Sequence, residues 1–128
     1  MDENIRRTLA HGGVIDITTT GRISGQPRRI EIVYHVFEER IYISGMPRAD
    51  RERAWLINLR ANPRLTFHLK RGPVADLPGT AREITDPAER HAVLERVARV
   101  WNQDPARMEA HSPLIEVVIE GYEADRAA

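Results

Sequence analysis

The chain has no cysteine and a single lysine, Lys70, among its 19 basic residues. Without thiols, disulfides, thiol catalysis and iron–sulfur clusters are excluded, and the redox compartment is left undetermined. With one lysine, Schiff-base chemistry has one candidate, and nearly all the positive charge sits on arginine. Net charge is missing too: 19 acidic residues offset the 19 basic ones. That balance argues against a nucleic-acid partner while allowing a local basic patch. No apolar run approaches membrane-spanning length and no signal peptide opens the chain, so the expected location is cytoplasmic, with no membrane partner. The five histidines are scattered, with no pair at helical metal-ligand spacing. No metal site is expected.

What is present fits one domain, residues 1–128, long enough for a real core. Ile5 and Leu9 share a face of a short helix over 4–10 that Gly12-Gly13 ends. Strands are expected over 15–20, 28–37, 40–44, 65–70, 74–77 and 80–84, with a last one over 113–122. Asp50 is a plausible N-cap for a helix over 51–62 that Pro63 stops. Pro78-Gly79 reads as a turn between two short strands. Asp86-Pro87 and Asp104-Pro105 start helices running to about Trp101 and His111. The fold class is α+β, mainly β: about six or seven mainly antiparallel strands with two main helices. Such a sheet commonly closes into a barrel.

The stretch from Ile15 to Tyr34 organises the rest. A β-branched strand leads into a loop carrying Arg22, Ser24, Gln26 and Arg28, and an alternating strand leaves it. Gly21 and Gly25 can take positive φ, which would let backbone N–H groups converge on an anion, and arginine forks bind phosphate or carboxylate. The loop therefore reads as a seat for the anionic part of a larger ligand. The competing reading is a solvated hairpin connection with arginines at its mouth.

Three blocks carry a family likeness: Thr18-Thr19-Thr20-Gly21-Arg22-x-Ser24-Gly25-x-Pro27-Arg28, then Ile43-Ser44-Gly45, then Trp55-x-x-Asn58-Leu59-x-Ala61-Asn62-Pro63. Together with the late helix and the aliphatic strand Ile115 to Ile119, they resemble the deazaflavin (coenzyme F-420)-dependent nitroreductase and quinone reductase family over nearly the whole chain. The resemblance implies a split β-barrel, flavin-reductase-like, that binds F-420. It implies that Arg22, Ser24, Gln26 and Arg28 hold the cofactor's phosphate and acidic tail. Ile43, Ser44 and Gly45 would lie along the deazaflavin ring, with Trp55 packed beneath. Family members often show Ser-Lys-Gly-Gly where this chain has Ser44-Gly45-Met46-Pro47, so Arg48, Arg51 or Arg53 would have to replace that lysine. Late tyrosines common near the substrate are also missing here.

The function so implied is an oxidoreductase passing a hydride from reduced F-420 to a small organic acceptor, a quinone or nitro compound. The cofactor carries the chemistry and the protein supplies position and electrostatics. Two rivals remain: the same barrel using FMN, and a binding protein that sequesters a cofactor or apolar ligand and catalyses nothing. No catalytic dyad is visible, and the catalytic residues stay unassigned; His68, Tyr34, Tyr42 and Ser44 are the conceivable proton donors, with His68 equally readable as a surface residue. The strands 28–37 and 113–122 carry apolar residues on both faces, with Val33, Phe37, Leu114 and Val118 on the second. A homodimer is expected to cover that face, unless the late helices do so within one chain.

Overall fold

The structure, a computed structural model, describes residues 1–122. Residues 123–128, the end of the expected domain, lie outside the described residues. Six strands, β1 (Gly13–Thr20), β2 (Pro27–Phe37), β3 (Arg40–Ser44), β4 (Arg64–Leu69), β5 (Ala75–Glu83) and β6 (Leu114–Ile119), form one closed antiparallel barrel in the order β1-β2-β3-β6-β5-β4. Four helices decorate it: α1 (Glu3–Leu9), α2 (Ala54–Ala61), α3 (Pro87–Trp101) and α4 (Pro105–His111). The fold is the mainly β barrel with helices that the pattern of short turns implied.

The period of two along each strand decides what faces inward. Ile15 and Ile17 of β1, Leu65, Phe67 and Leu69 of β4, and Ile115, Val117 and Ile119 of β6 fill the interior. Leu9 of α1 and Trp55, Leu56 and Leu59 of α2 join the same cluster. The intervening residues face out, and on β1, β2 and β4 they build a polar lattice. There the Lys70 ammonium donates to Asp16 at 2.7 Å and also to Glu31, and Arg29 reaches Asp16 at 2.9 Å.

A second apolar layer lies outside the barrel. Val93, Leu94, Val97 and Ala98 of α3 and Met108 of α4 pack on Tyr42, Ile84, Leu114 and Phe37. The late helices thus cover much of the face that was expected to need a second copy of the chain. Val33 stays half-buried and Val118 is 37 % exposed. The helix starts are well specified. Asp86 accepts from the Glu89 N–H and Asp104 from the Ala106 N–H, each followed by proline at the first helical position.

Two local expectations are corrected. Pro78-Gly79 is no turn; β5 runs straight through it, Thr66 pairing with Pro78 and Leu65 with Gly79. The Pro78 carbonyl accepts from Glu120, so the missing N–H faces the point where the β6 ladder ends, at Gly79 opposite Ile119. Nor is Asp50 the cap of α2. That helix begins at Ala54, its N-cap is Arg53 in an extended conformation with no side-chain cap bond, and Asp50 lies 3.7 Å from Arg48 instead.

Candidate functional site

The β1–β2 connection closes on itself. The Gly21 N–H donates to the Gln26 carbonyl and the Gly25 N–H to the Gly21 carbonyl, both at 2.8 Å, while the Gln26 N–H reaches Ser24 Oγ at 3.1 Å. The expected backbone cradle is therefore largely spent inside the loop. Only Gly25 has positive φ, at 72°; Gly21 does not, and is small because a Cβ there would stand 2.8 Å from Ser24 Oγ. Anion recognition falls to side chains rather than to backbone N–H groups.

Helix α2 fixes this loop in place. Asn58, 5 % exposed, accepts from the Arg22 N–H through Oδ1 at 3.2 Å and donates from Nδ2 to Thr19 Oγ1 at 3.2 Å. One turn on, Asn62 Nδ2 approaches Thr20 Oγ1 at 3.5 Å. Amides four residues apart share a helix face, so both meet the end of β1. In the sequence Asn58 belongs to a recognisable motif, but nothing there reveals its partners.

A cavity of about 750 Å³ opens between the loop and α2. Five arginines line it: Arg22, Arg28, Arg48, Arg51 and Arg53. The one acid in the lining, Glu52, is bonded to Arg60 at 2.5 Å. Among the described residues Arg22, Arg28 and Arg51 have no carboxylate within ion-pair distance. The α2 N-terminus opens here as well, with Ala54 and Trp55 in the lining and no side chain capping its N–H groups. Trp55, Ile30 and Ile57 supply an apolar side. Zero net charge therefore hides a concentrated positive site.

The 45–53 segment is held by its own arginine. The Arg53 guanidinium donates to the Met46 carbonyl at 2.5 Å and lies where a Cβ on Gly45 would stand, 2.6 Å away. Only glycine permits that contact. Burial and the neighbouring Arg48 charge push Arg53 below the usual guanidinium range, though arginine remains charged at any physiological pH. All three arginines weighed as stand-ins for the missing lysine are thus in the cavity wall.

Of the residues singled out in the sequence, Arg22, Ser24, Arg28 and Trp55 come together around this cavity. Gln26 is exposed on the loop and outside the lining. The Ile43 side chain is fully buried in the barrel, Ser44 Oγ donates to the Pro113 carbonyl at 2.6 Å, and Gly45 sits under Arg53. Only backbone groups of the 43–45 stretch remain for a ligand, and none of these three expected ring contacts lies in the cavity lining. None of the conceivable proton donors lines the cavity. His68 is on the outer barrel face, bonded to Thr18 and Asp76, each at 2.7 Å. The Tyr34 hydroxyl donates to the Thr8 carbonyl, and burial pushes its pKa up to about 12. Tyr42 packs against α3 and α4, its pKa raised by burial and by Glu116. Among the described residues no group of acids and histidines could hold a metal ion.

Solved structures with the same fold include a conserved hypothetical protein from Mycobacterium tuberculosis, at 21 % identity and TM-score 0.67 over 94 % of this chain and 81 % of that one. An F-420-H2-dependent reductase matches at 20 % identity and TM-score 0.63 over 83 % of this chain and 94 % of its own. A domain-swapped dimer matches at 20 % identity and TM-score 0.62 over 91 % and 95 %. The family model described as F-420H(2)-dependent quinone reductase matches residues 1–121, which takes in the whole barrel, all four helices and the arginine-lined cavity. The chain therefore belongs to the F-420H(2)-dependent quinone reductase family and is an F-420-dependent oxidoreductase.

Proposed function

We propose that the larger cavity is the F-420 seat and that the protein passes a hydride from reduced F-420 to a small quinone or nitro acceptor. The observation that carries this reading is the charge of the lining: five guanidiniums face one acid that Arg60 already holds. A phosphate and an acidic tail fit that donor set, and Trp55, Ile30 and Ile57 fit a flat ring. Arg22 and Arg28 bind the phosphate, Arg48, Arg51 and Arg53 take the carboxylates, and Ser24 orients Arg28, 3.3 Å from its Oγ. Backbone groups of Ile43, Ser44 and Gly45 meet the polar edge of the ring. Gln26 is assigned the outermost tail contact.

F-420, when bound, supplies the hydride; the protein binds, orients and excludes water. With His68, Tyr34, Tyr42 and Ser44 all engaged elsewhere, the acceptor's proton comes from solvent or from the cofactor. The test is titration with F-420 and with FMN, followed by fluorescence. F-420 binding in the micromolar range or tighter, and weaker FMN binding, is expected; equal or tighter FMN would transfer the seat to that cofactor. Turnover of a quinone and nitro panel with reduced F-420 is expected, and tight F-420 binding with no turnover of either class would overturn this choice of acceptor.

The same reading includes a cytoplasmic location and a homodimer. Support for the dimer is a solved domain-swapped dimer of the same fold and the exposed Val118.

A further inference from the structure

The outer face of the barrel carries a group of reactive side chains that the cofactor seat does not use. It spans three strands: Thr18 of β1, His68 of β4 and Asp76 of β5. The register brings them together. His68 pairs with Asp16 on one side and with Asp76 on the other, and Thr18 lies two residues from Asp16 on the same face. None of the three lines the larger cavity, or a smaller one of about 310 Å³ that shares Arg48, Arg51, Glu52 and Arg53 with it.

The hydrogen bonds have a direction. Asp76 Oδ1 stands 2.7 Å from His68 Nδ1, and Thr18 Oγ1 stands 2.7 Å from His68 Nε2. A carboxylate only accepts, so the proton of the neutral ring is on Nδ1. Nε2 keeps its lone pair, and the Thr18 hydroxyl donates to it. The chain of contacts runs nucleophile, base, orienting acid. His68 is 6 % exposed although it belongs to an outer face, so its ring is held in this orientation. The bond to His68 is the main cause that holds the Asp76 carboxyl below its ordinary range, and the acid stays ionised. Thr18 is half-buried, which leaves part of it open to solvent.

Arg29 adds an electrophile. It stands directly opposite Thr18 on β2. Its Nε is bonded to Asp16 at 2.9 Å, and among the described residues no bond uses its two terminal nitrogens. Those nitrogens are donors beside the hydroxyl, where an attacked carbonyl would develop negative charge.

We propose that Thr18, His68 and Asp76 form an acyl-transfer site, with Arg29 as the oxyanion donor, and that it takes short-chain esters of acidic alcohols. The open sheet face sets that class: with no cavity wall to hold a long acyl chain, the ester must be small and its alcohol must leave readily. Thr18 Oγ1 bonds to the acyl carbon as the ester C–O bond breaks. His68 takes the threonine proton and gives it to the departing alcohol. Water then attacks the acyl group, passing its proton through His68 back to Thr18 and releasing the carboxylic acid. Asp76 is a positioning residue that fixes the tautomer. The site is independent of what the larger cavity binds.

The test uses p-nitrophenyl acetate with the purified protein. Release of p-nitrophenolate is expected, and acid quenching should trap an acetyl group on the peptide containing Thr18, located by mass spectrometry. Thr18→Val should lose that acetyl group, and His68→Gln should lower the acetylation rate about a hundredfold or more. Asp76→Asn should lower it as well, and Asp76→Glu should restore part of it, which a mere strand tie would not do. Urea midpoints check that each variant is folded. Should Thr18→Val fail that check, Thr18→Ser decides: its less crowded hydroxyl should be acetylated at the same position, faster than the parent. Acetyl groups found only on other residues, or hydrolysis by folded Thr18→Val or His68→Gln at the parent rate, would overturn the proposal.

Discussion

Four side chains have effects that can be separated by measurement. Arg22→Ala and Arg28→Ala should each weaken F-420 binding by about 1.5–3 kcal/mol, the range for a hydrogen bond to a charged group. Added salt should weaken binding to the parent more than to either variant. If both variants bind F-420 as the parent does, the anion seat is elsewhere. Asn58→Ala removes two hydrogen bonds from a buried position and strands the Arg22 N–H. A loss of about 1–3 kcal/mol of stability is expected in urea titration, along with weaker cofactor binding. His35 tests pH. It is 6 % exposed, Nε2 has no partner, and it packs between Phe37 and Trp101. Burial holds it below its ordinary 6.5. The folded state therefore favours the neutral ring. Its contribution is full above pH 6.5 and is lost as pH falls below that value through the lowered folded pKa. Urea midpoints of the parent should drop through that window, and those of His35→Phe should drop less. An equal drop would assign the acid sensitivity to other groups. The carboxylates of Asp16, Glu83 and Glu89, which their basic partners hold below the ordinary range, lose their contribution only at lower pH.

Among the secondary structure elements, those with local signals were readable in the sequence and those set by distant contacts were not. Asp86-Pro87 and Asp104-Pro105 carry their own capping groups, and α3 and α4 start where those residues say. The start of α2 is decided instead by Arg53, whose guanidinium folds back over Gly45 and holds 51–53 out of the helix. Pro78-Gly79 has the chemistry of a turn, but pairing with β4 keeps it in a strand. There Gly79 serves close approach: a Cβ would stand 3.2 Å from the Val118 carbonyl oxygen and 3.3 Å from Ile119 Cδ1. Gly79→Val should overpack the β5–β6 contact and cost about 1–3 kcal/mol, read as a lower urea midpoint. An unchanged midpoint would mean that the strands can separate there without penalty.

For the molecule as a whole, the barrel followed from alternation and turn spacing, whereas the second function of each segment did not. Arg22, Ser24 and Arg28 announced themselves by clustering in the sequence. Arg48, Arg51 and Arg53 gain their meaning only because β3 and α2 bring their segment against the β1–β2 loop. The helical cover over Phe37 and Leu114 likewise depends on where α3 lands, which local periodicity does not specify. It leaves less apolar face for a second copy than the strand pattern suggested. Light scattering at micromolar concentration is expected to give a dimer, and Val118→Glu to give a folded monomer. A monomeric parent, with or without cofactor, would rule the dimer out.

The placement of Lys70 also decides how the protein can be labelled. Asp16 and Glu31 hold its ammonium and raise its pKa, so at mildly alkaline pH the amine carries little free nucleophile. Amine-reactive dyes and cross-linkers would react slowly at this side chain, which stands in neither cavity lining. Dicarbonyl reagents selective for guanidinium groups would report the reverse, attacking Arg22, Arg28 and Arg51 in the free protein and sparing them once an anion is bound.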